Sequence, residues 1–368
     1  MNRAFSIYLD LVRFLAACLV YLYHSNQRLL STEILPVSNY GHSSVIVFFV
    51  LSGFVIAYIT DTKEREWVSY TASRISRVYS VAVPALILTL VLDSIGRYLY
   101  PAIYDYPFDN FILRSISSLL LLNEVWFVSI TSFSNVPYWS ICYETWYYVA
   151  FALLTFLPRR MGFPALIVLA LILGPKVLLL APIWIAGVVL YRWEALRSLS
   201  QPVSWLMVIG SIIGVFGFHS LGVGDIAAER LKSLIGAEWH KQLTFSKFFL
   251  SDYLLGCLVF INFAGMRGIA GTLGPVFLRI ERPIRLVASY TFTLYLMHQP
   301  LFLFWAAVIR GNPDGYLYWW MTTGMVALSV ASIGYVTENK RHLFKRWLEA
   351  RLARCEQFIA GKRHALNG

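Results

Sequence analysis

Long apolar runs separated by short polar segments make up most of this 368-residue chain. A membrane-spanning helix needs about 20 mostly apolar residues. The runs predict an all-α integral membrane protein with about ten transmembrane helices in one bundle. These spans lie at about residues 7–25, 43–61, 78–98, 138–157, 163–175, 177–191, 204–221, 248–265, 288–309 and 316–337.

Two regions depart from this simple alternation. The fifth and sixth runs are short and are separated by Gly-Pro-Lys at 174–176, which predicts a hairpin of tilted helices. The stretch 113–128 is apolar but contains Asn123 and Glu124. Because polar groups are costly in the hydrocarbon region, this stretch is better explained as an interfacial or re-entrant segment than as an eleventh span.

The first apolar run also has features of a secretory signal peptide. Arg3 would be its basic start, but Asp10 and Arg13 interrupt the apolar core, and no clear small-residue cleavage site follows. We therefore predict a permanent membrane helix, with a cleaved signal as the alternative.

Composition supports the membrane assignment. Apolar residues make up 58% of the chain and charged residues 14%, whereas soluble domains carry about 25% charged residues. Mean hydropathy is +0.61. The net charge of +11 could indicate nucleic-acid binding, but the basic residues lie mainly in short segments between apolar runs, as the positive-inside rule describes. Their bias predicts that both termini are cytoplasmic, and we expect no nucleic-acid partner.

The last part of the chain supports a less specific structural prediction. Residues 341–363 mix apolar and basic side chains and predict an amphipathic helix on the anionic lipids of the cytoplasmic leaflet; a solvated end is the alternative. We divide the chain into a transmembrane domain at 1–340 and a basic amphipathic cytoplasmic tail at 341–368.

The four cysteines have neither the spacing of a disulfide framework nor that of a zinc site, and we expect no metal.

Three ionisable residues share one face of the first predicted helix. Arg13 and His24 are eleven residues apart, which places both side chains on one face about 16 Å apart along the axis. Asp10 lies one turn before Arg13. Ionisable groups within a bilayer usually face a bundle interior or a wet cavity, which favours a functional stripe. The alternative is a structural Asp10–Arg13 ion pair with His24 at the interface.

Two further groups of polar residues follow. Arg74 and Arg77 are i, i+3 neighbours, and paired arginines suit phosphate binding because each guanidinium can donate two parallel hydrogen bonds. They could instead only set the topology. Ser52 precedes Gly53 in the second span and offers a hydroxyl, although close helix packing is the simpler explanation.

A carboxylate and a histidine lie inside later spans. Glu144 is a possible proton carrier or sugar ligand within the fourth span. Its aromatic neighbours could stack on sugar rings or form an interfacial belt; they are Trp139, Tyr143, Trp146, Tyr147 and Tyr148. His298 lies in the ninth span, and a single histidine is more often a hydrogen-bonded core residue than a catalytic one.

Taken in order, these motifs resemble membrane acyltransferase family 3, which includes bacterial O-antigen and exopolysaccharide O-acetyltransferases. The resemblance runs from residue 1 to about 340. It rests on D-x2-R-x10-H from Asp10 to His24, FFVLSGF at 48–54, Arg74 with Arg77, WSICYE at 139–144 and SYTFTLYLMH at 289–298.

The resemblance implies transfer of an acyl group, usually acetyl from acetyl-CoA, across the bacterial inner membrane to a carbohydrate hydroxyl. It implies that Arg13 and His24 are the essential first-helix pair, and that Trp139, Ser140 and Glu144 form a Trp-Ser-x3-Glu motif. Some relatives carry a periplasmic SGNH-hydrolase-like domain. We find none in this sequence, so any such partner would be a separate protein or absent.

Together these considerations give a hypothesis for the site. The donor acyl-CoA would bind Arg13, Arg74, Arg77 and Ser52, and His24 would act as general base or transient acyl carrier. Arg13 and Glu144 would assist catalysis. A carbohydrate or lipid-linked glycan would be held by Asp10, Trp139, Ser140, Tyr148 and His298. The alternatives are a transporter or flippase of a sugar or lipid carrier, and a polysaccharide polymerase or ligase.

Overall fold

The computed structural model describes residues 1–313 and 315–367, with side chains through residue 357. Within these residues the regular structure is helical, apart from an isolated bridge between Ser132 and Asn135. The α-helices are α1 (Arg3–Leu29), α2 (Gly41–Thr62), α3 (Trp67–Leu99), α4 (Phe111–Leu119), α5 (Tyr138–Phe156), α6 (Arg159–Leu173), α7 (Pro175–Arg192), α8 (Gln201–Ser220), α9 (Val223–Ile235), α10 (Ala237–Gln242), α11 (Phe249–Ile269), α12 (Gly274–Arg279), α13 (Glu281–Ala288), α14 (Thr291–Ile309), α15 (Tyr316–Thr337) and α16 (Arg341–Asn367).

The predicted all-α membrane fold is confirmed. Over the described residues, eight helices are long and apolar enough to cross a membrane. They are α1, α2, α3, α7, α8, α11, α14 and α15, with α16 continuing directly after α15. The other two predicted spans, 138–157 and 163–175, coincide with the helices α5 and α6. Helix α6 has only 15 residues, and α5 contains Glu144 among tyrosines and tryptophans.

The two irregular regions also follow the prediction. Gly174 separates α6 from α7 and has a φ of 77°, a left-handed conformation that glycine adopts without steric cost. Helix α4 has nine residues, too few to span a bilayer. The irregular chain after it packs against the hairpin, where the Trp126 amide donates to the Leu173 carbonyl at 2.8 Å.

A buried ion pair fixes this irregular segment. Lys176 and Glu124 have side chains exposed by 0% and 2%, and their charged atoms are 2.5 Å apart. Lys176 also donates to the Val128 carbonyl at 2.8 Å, and Ser129 donates to Glu124. Both residues are visible in the sequence, but their pairing is not, because they lie 52 positions apart.

Helices α2 and α7 are in backbone contact beside the site described below. A Cβ atom added at Gly53 would lie 2.0 Å from the Trp184 carbonyl oxygen, and one added at Gly187 would lie 2.0 Å from the Val50 carbonyl oxygen. Such separations are far below van der Waals contact, so only glycine allows this approach. Packing therefore explains Gly53 in the second span.

The C-terminal segment is a helix, α16, that packs alongside the start of α3. The Trp67 indole donates to Glu356 at 2.7 Å, and Ser69 donates to Glu349 at 3.3 Å. The side chains of 358–363 in the predicted amphipathic tail, and residue 368 of the predicted tail domain, lie outside the described residues.

We predict that Lys176→Met strongly destabilises the protein. The substitution leaves the Glu124 carboxylate buried without its cation, a change that typically costs about 3–5 kcal/mol. Unfolding in detergent, followed by intrinsic fluorescence, measures the loss. The double variant Lys176→Met/Glu124→Met removes both charges and should recover most of the stability. A single variant as stable as wild type would contradict a stabilising role for the pair.

Candidate active site

A polar cavity lies among α1, α2, α3, α5 and α14, with an empty volume of about 640 Å³. It brings together most of the site residues predicted from sequence, although they come from distant parts of the chain. Its charged and polar lining residues are Arg13, Ser52, Arg74, Arg77, Ser140, Glu144, Tyr148, Thr291 and Tyr295. Asp10, His24, Trp139 and His298 are not among the residues that line it.

Helix α3 starts earlier than the predicted span, and this places Arg74 and Arg77 within a helix. Arg74 is only 8% exposed and donates to Glu64 at 2.8 Å. Its guanidinium carbon lies 5.7 Å from the ring centroids of both Tyr70 and Tyr148. Its Nε has no hydrogen-bond partner. Arg74 is thus an oriented, buried cation with an unused donor.

Arg77 is less constrained than Arg74. Over the described residues no carboxylate oxygen lies within 4.0 Å of its guanidinium group. The guanidinium carbon lies 5.9 Å from the Phe292 ring centroid, and the group lies beside the Tyr148 hydroxyl. This arrangement leaves its positive charge available to an anion entering the cavity.

Arg13 and Asp10 form part of a separate charge network. Arg13 lies 3.3 Å from Asp10, and Asp10 also accepts a hydrogen bond from Arg285. The structural Asp10–Arg13 pair named as an alternative is therefore present. Arg13 nevertheless lines the cavity, whereas Asp10 does not.

Glu144 lies in the same cavity as the arginines. It accepts a hydrogen bond from Tyr148, and its charge interacts with those of Arg13 and Arg77. Ser52 shares a hydrogen bond of 3.2 Å with Tyr148. Glu144 lies six residues, or about 9 Å along the axis, into α5.

His24 and His298 form a second group of functional side chains. Their ring centroids are 5.2 Å apart. His298 is fully buried, and its Nδ1 lies 2.8 Å from the Tyr295 carbonyl oxygen and 3.2 Å from that of Leu294. Because a carbonyl only accepts, these contacts assign a proton to Nδ1, and full burial disfavours a second proton, which would charge the ring, on Nε2. Nε2 has no hydrogen-bond partner.

Tyr295 connects the histidine pair with the arginine-lined cavity. Its ring lines the cavity, and its centroid lies 6.4 Å from that of His298. Its hydroxyl shares a hydrogen bond of 2.6 Å with Ser140. Tyr295 is therefore a neighbour both of the arginine-lined cavity and of His298.

Trp139 is less accessible than we predicted for a sugar-stacking residue. It is 7% exposed, and Phe245 stacks parallel to it with the ring centroids 4.4 Å apart. Tyr143 packs edge-on at 5.3 Å. Phe245 thus covers one face of the indole, a contact that sequence spacing cannot indicate.

Two buried carboxylates were missed in the sequence. Asp93 is fully buried in α3 and accepts from the backbone amide and hydroxyl of Ser134 at 3.0 and 2.6 Å. Asp252 is fully buried in α11 and lies 2.9 Å from Nε2 of His42. The signal that drew attention to Glu144, a carboxylate inside an apolar run, would have identified both.

Comparisons with known proteins agree with the arrangement of motifs. A family model described as an acyltransferase domain matches residues 6–338. The exopolysaccharide production protein ExoZ of Rhizobium meliloti (strain 1021) is 28% identical over 193 residues, which is 48% of this chain and 51% of ExoZ. The chain thus matches about half the length of this curated relative. No solved structure matches the chain.

We predict that His298 is a neutral imidazole with its proton on Nδ1. Nitrogen-15 NMR of histidine-labelled protein in nanodiscs should show one protonated and one unprotonated ring nitrogen for this residue, and His298→Gln provides the assignment. A protonated Nε2 would contradict the hydrogen-bond assignment.

Proposed function

This chain belongs to the acyltransferase family whose model matches residues 6–338, and we propose that it transfers an acyl group from cytoplasmic acyl-CoA to a hydroxyl of a cell-surface or lipid-linked carbohydrate. Acetyl-CoA is the simplest donor. The observation that carries this proposal is the cavity in which Arg13, Arg74 and Arg77 converge inside an apolar bundle.

The cavity chemistry suits the phosphate groups of coenzyme A. Arginine binds phosphate through two parallel charge-assisted hydrogen bonds. Arg77 is available because no carboxylate is paired with it in the described part of the chain, and Arg74 has an unused Nε donor. Glu144 and Tyr148 line the same cavity and are joined by a hydrogen bond.

His24 supplies the reactive imidazole in this proposal. In direct transfer it takes the proton of the acceptor hydroxyl while the oxygen attacks the thioester carbonyl. The C–S bond then breaks, and the departing CoA thiolate takes that proton from the imidazolium. In the second route the His24 imidazole attacks the thioester carbonyl, the C–S bond breaks, and the CoA thiolate leaves with the imidazole proton. The acceptor hydroxyl then attacks the acyl-imidazole, the C–N bond breaks, and the hydroxyl proton returns to the imidazole.

Tyr295 lies on the path that the proposal requires. With the CoA phosphates at the arginines, the pantetheine arm must pass this side chain to bring the thioester to His24. Tyr295 is held by its hydrogen bond to Ser140. We infer that donor binding displaces this hydroxyl contact.

The acceptor assignment is supported by a relative. ExoZ is named as an exopolysaccharide production protein, which fits a carbohydrate acceptor. We propose a location in the bacterial inner membrane with both termini in the cytoplasm, as the distribution of basic residues predicts. The donor then enters on the side of Arg74 and Arg77, and the glycan on the side of His24.

The first test measures CoA release. Purified protein in nanodiscs is incubated with labelled acetyl-CoA and a bacterial exopolysaccharide, and we expect glycan-dependent release of CoA with label transferred to the glycan. His24→Ala should lower kcat by about 10²–10⁴-fold, the usual contribution of a general acid–base residue. His342→Ala removes an exposed histidine and serves as the control. A fully active His24→Ala variant would refute the assignment.

The second test concerns the donor. Arg77→Ala should raise KM for acetyl-CoA by tenfold or more, because a hydrogen bond to a charged group contributes about 1.5–3 kcal/mol. Arg230→Ala removes an exposed arginine of α9 and should leave KM unchanged. Equal KM values for the two variants would show that Arg77 does not bind the donor.

A further inference from the structure

Helix α16 begins three residues after the segment matched by the family model ends. It nevertheless contacts α3, the helix that carries Arg74 and Arg77. Its residues Arg341, Lys345 and Glu349 follow one another at intervals of four, which places them on one face of the helix. Glu349 accepts a hydrogen bond from Ser69 of α3, so this face is directed toward α3.

A shared carboxylate connects α16 to the cavity. Glu64, in the turn before α3, is 6% exposed. It accepts a hydrogen bond from Arg74 at 2.8 Å, and its second oxygen lies 3.9 Å from Nζ of Lys345. A cation of α16 thus interacts with the carboxylate that orients a cavity arginine.

The junction between α15 and α16 is fixed to the cavity wall. Glu338 accepts a hydrogen bond from the Thr293 amide at 2.8 Å, and the hydroxyl groups of Thr293 and Thr337 share one of 3.1 Å. Thr293 lies in the first turn of α14, directly after two residues that line the cavity, Thr291 and Phe292.

This anchoring fixes the start of α16, and Arg341 lies there, three residues after Glu338 and one helical turn before Lys345. The Arg341 side chain is exposed, and in the described part of the chain no carboxylate oxygen lies within 4.0 Å of it. Its charge interacts with those of Arg77, Arg74 and Arg13, and with that of Glu338. The guanidinium groups repel one another, and a bound polyanion would add to the compensation that Glu338 provides.

We propose that α16 completes the donor-binding site, with Arg341 contacting a phosphate group of acyl-CoA and Lys345 holding Glu64 so that Arg74 keeps its orientation. The inference rests on the proposed function, because it takes acyl-CoA as the anion. It adds a binding residue and a positioning residue from a helix outside the family's matched region. Coenzyme A carries a pyrophosphate and a further phosphate, enough anionic groups for contacts beyond the three cavity arginines.

The main experiment compares two charge reversals on the same helix. Arg341→Glu and Arg351→Glu change the net charge equally, but Arg351 lies on another face of α16 and its guanidinium carbon is 5.5 Å from the Trp347 ring. Binding of CoA to the intact protein in nanodiscs is measured by calorimetry, together with KM and kcat. We expect Arg341→Glu to weaken CoA binding and raise KM at least tenfold with kcat within twofold, and Arg351→Glu to change KM less than twofold.

The positioning role of Lys345 has its own test. Lys345→Met should raise KM for acetyl-CoA severalfold without changing kcat, and Lys345→Arg should restore it because it keeps the cation near Glu64. Thermal unfolding of each variant monitors folding. A change in stability without a change in KM would show that Lys345 has only a structural role.

The outcomes separate this inference from the proposed function. Equal weakening of CoA binding by Arg341→Glu and Arg351→Glu would overturn the role of α16, because only overall charge would then matter. Wild-type protein that binds no CoA would overturn the proposed donor as well. If wild type binds CoA tightly and the Arg341→Glu variant binds it equally tightly, the role of α16 is overturned while the proposed donor stands.

Discussion

The cost of holding guanidinium groups inside an apolar helical bundle governs the rest of this structure. Ionised side chains at membrane depth are unfavourable unless other groups replace their water. Here Arg74 is held by Glu64 and two tyrosine rings, and Arg13 by Asp10. Arg77 lies beside Phe292 and Tyr148 with no carboxylate in contact among the described residues. Such a partly compensated cluster is stable enough to persist and still available to an anion.

The same requirement explains the arrangement of the helices around the cavity. Glycine contacts bring α2 and α7 together, so that Trp184 donates to Ser52 at 3.1 Å and Ser52 in turn contacts Tyr148. Hydroxyl and aromatic groups thus form a continuous wall from α7 to Glu144. His24 and His298 do not line this cavity, but Tyr295, which lines it, lies next to His298. The proposed function requires the donor to connect these two groups of side chains.

Two carboxylates stabilise irregular chain. Glu124, paired with Lys176, holds the segment after α4 against the α6–α7 hairpin, and Glu338 accepts from the Thr293 amide and holds the α15–α16 junction against α14. In both places a carboxylate accepts hydrogen bonds from another element, which keeps nonhelical backbone in a fixed position. The second of these contacts lies where a helix from outside the family's matched region begins.

The sequence by itself determined the membrane class, the ten helical segments and the identity of most charged and polar residues of the cavity, because apolar run length and the cost of intramembrane charge are properties of local sequence. It also located the break at 174–176. Only the tertiary structure decided which side chains are neighbours. The charged neighbours are Glu144 with the arginines, Lys176 with Glu124, and Lys345 with Glu64. The aromatic example is Phe245, which stacks on Trp139. Those contacts join residues far apart along the chain, and their distances depend on how the helices pack, which no local pattern encodes.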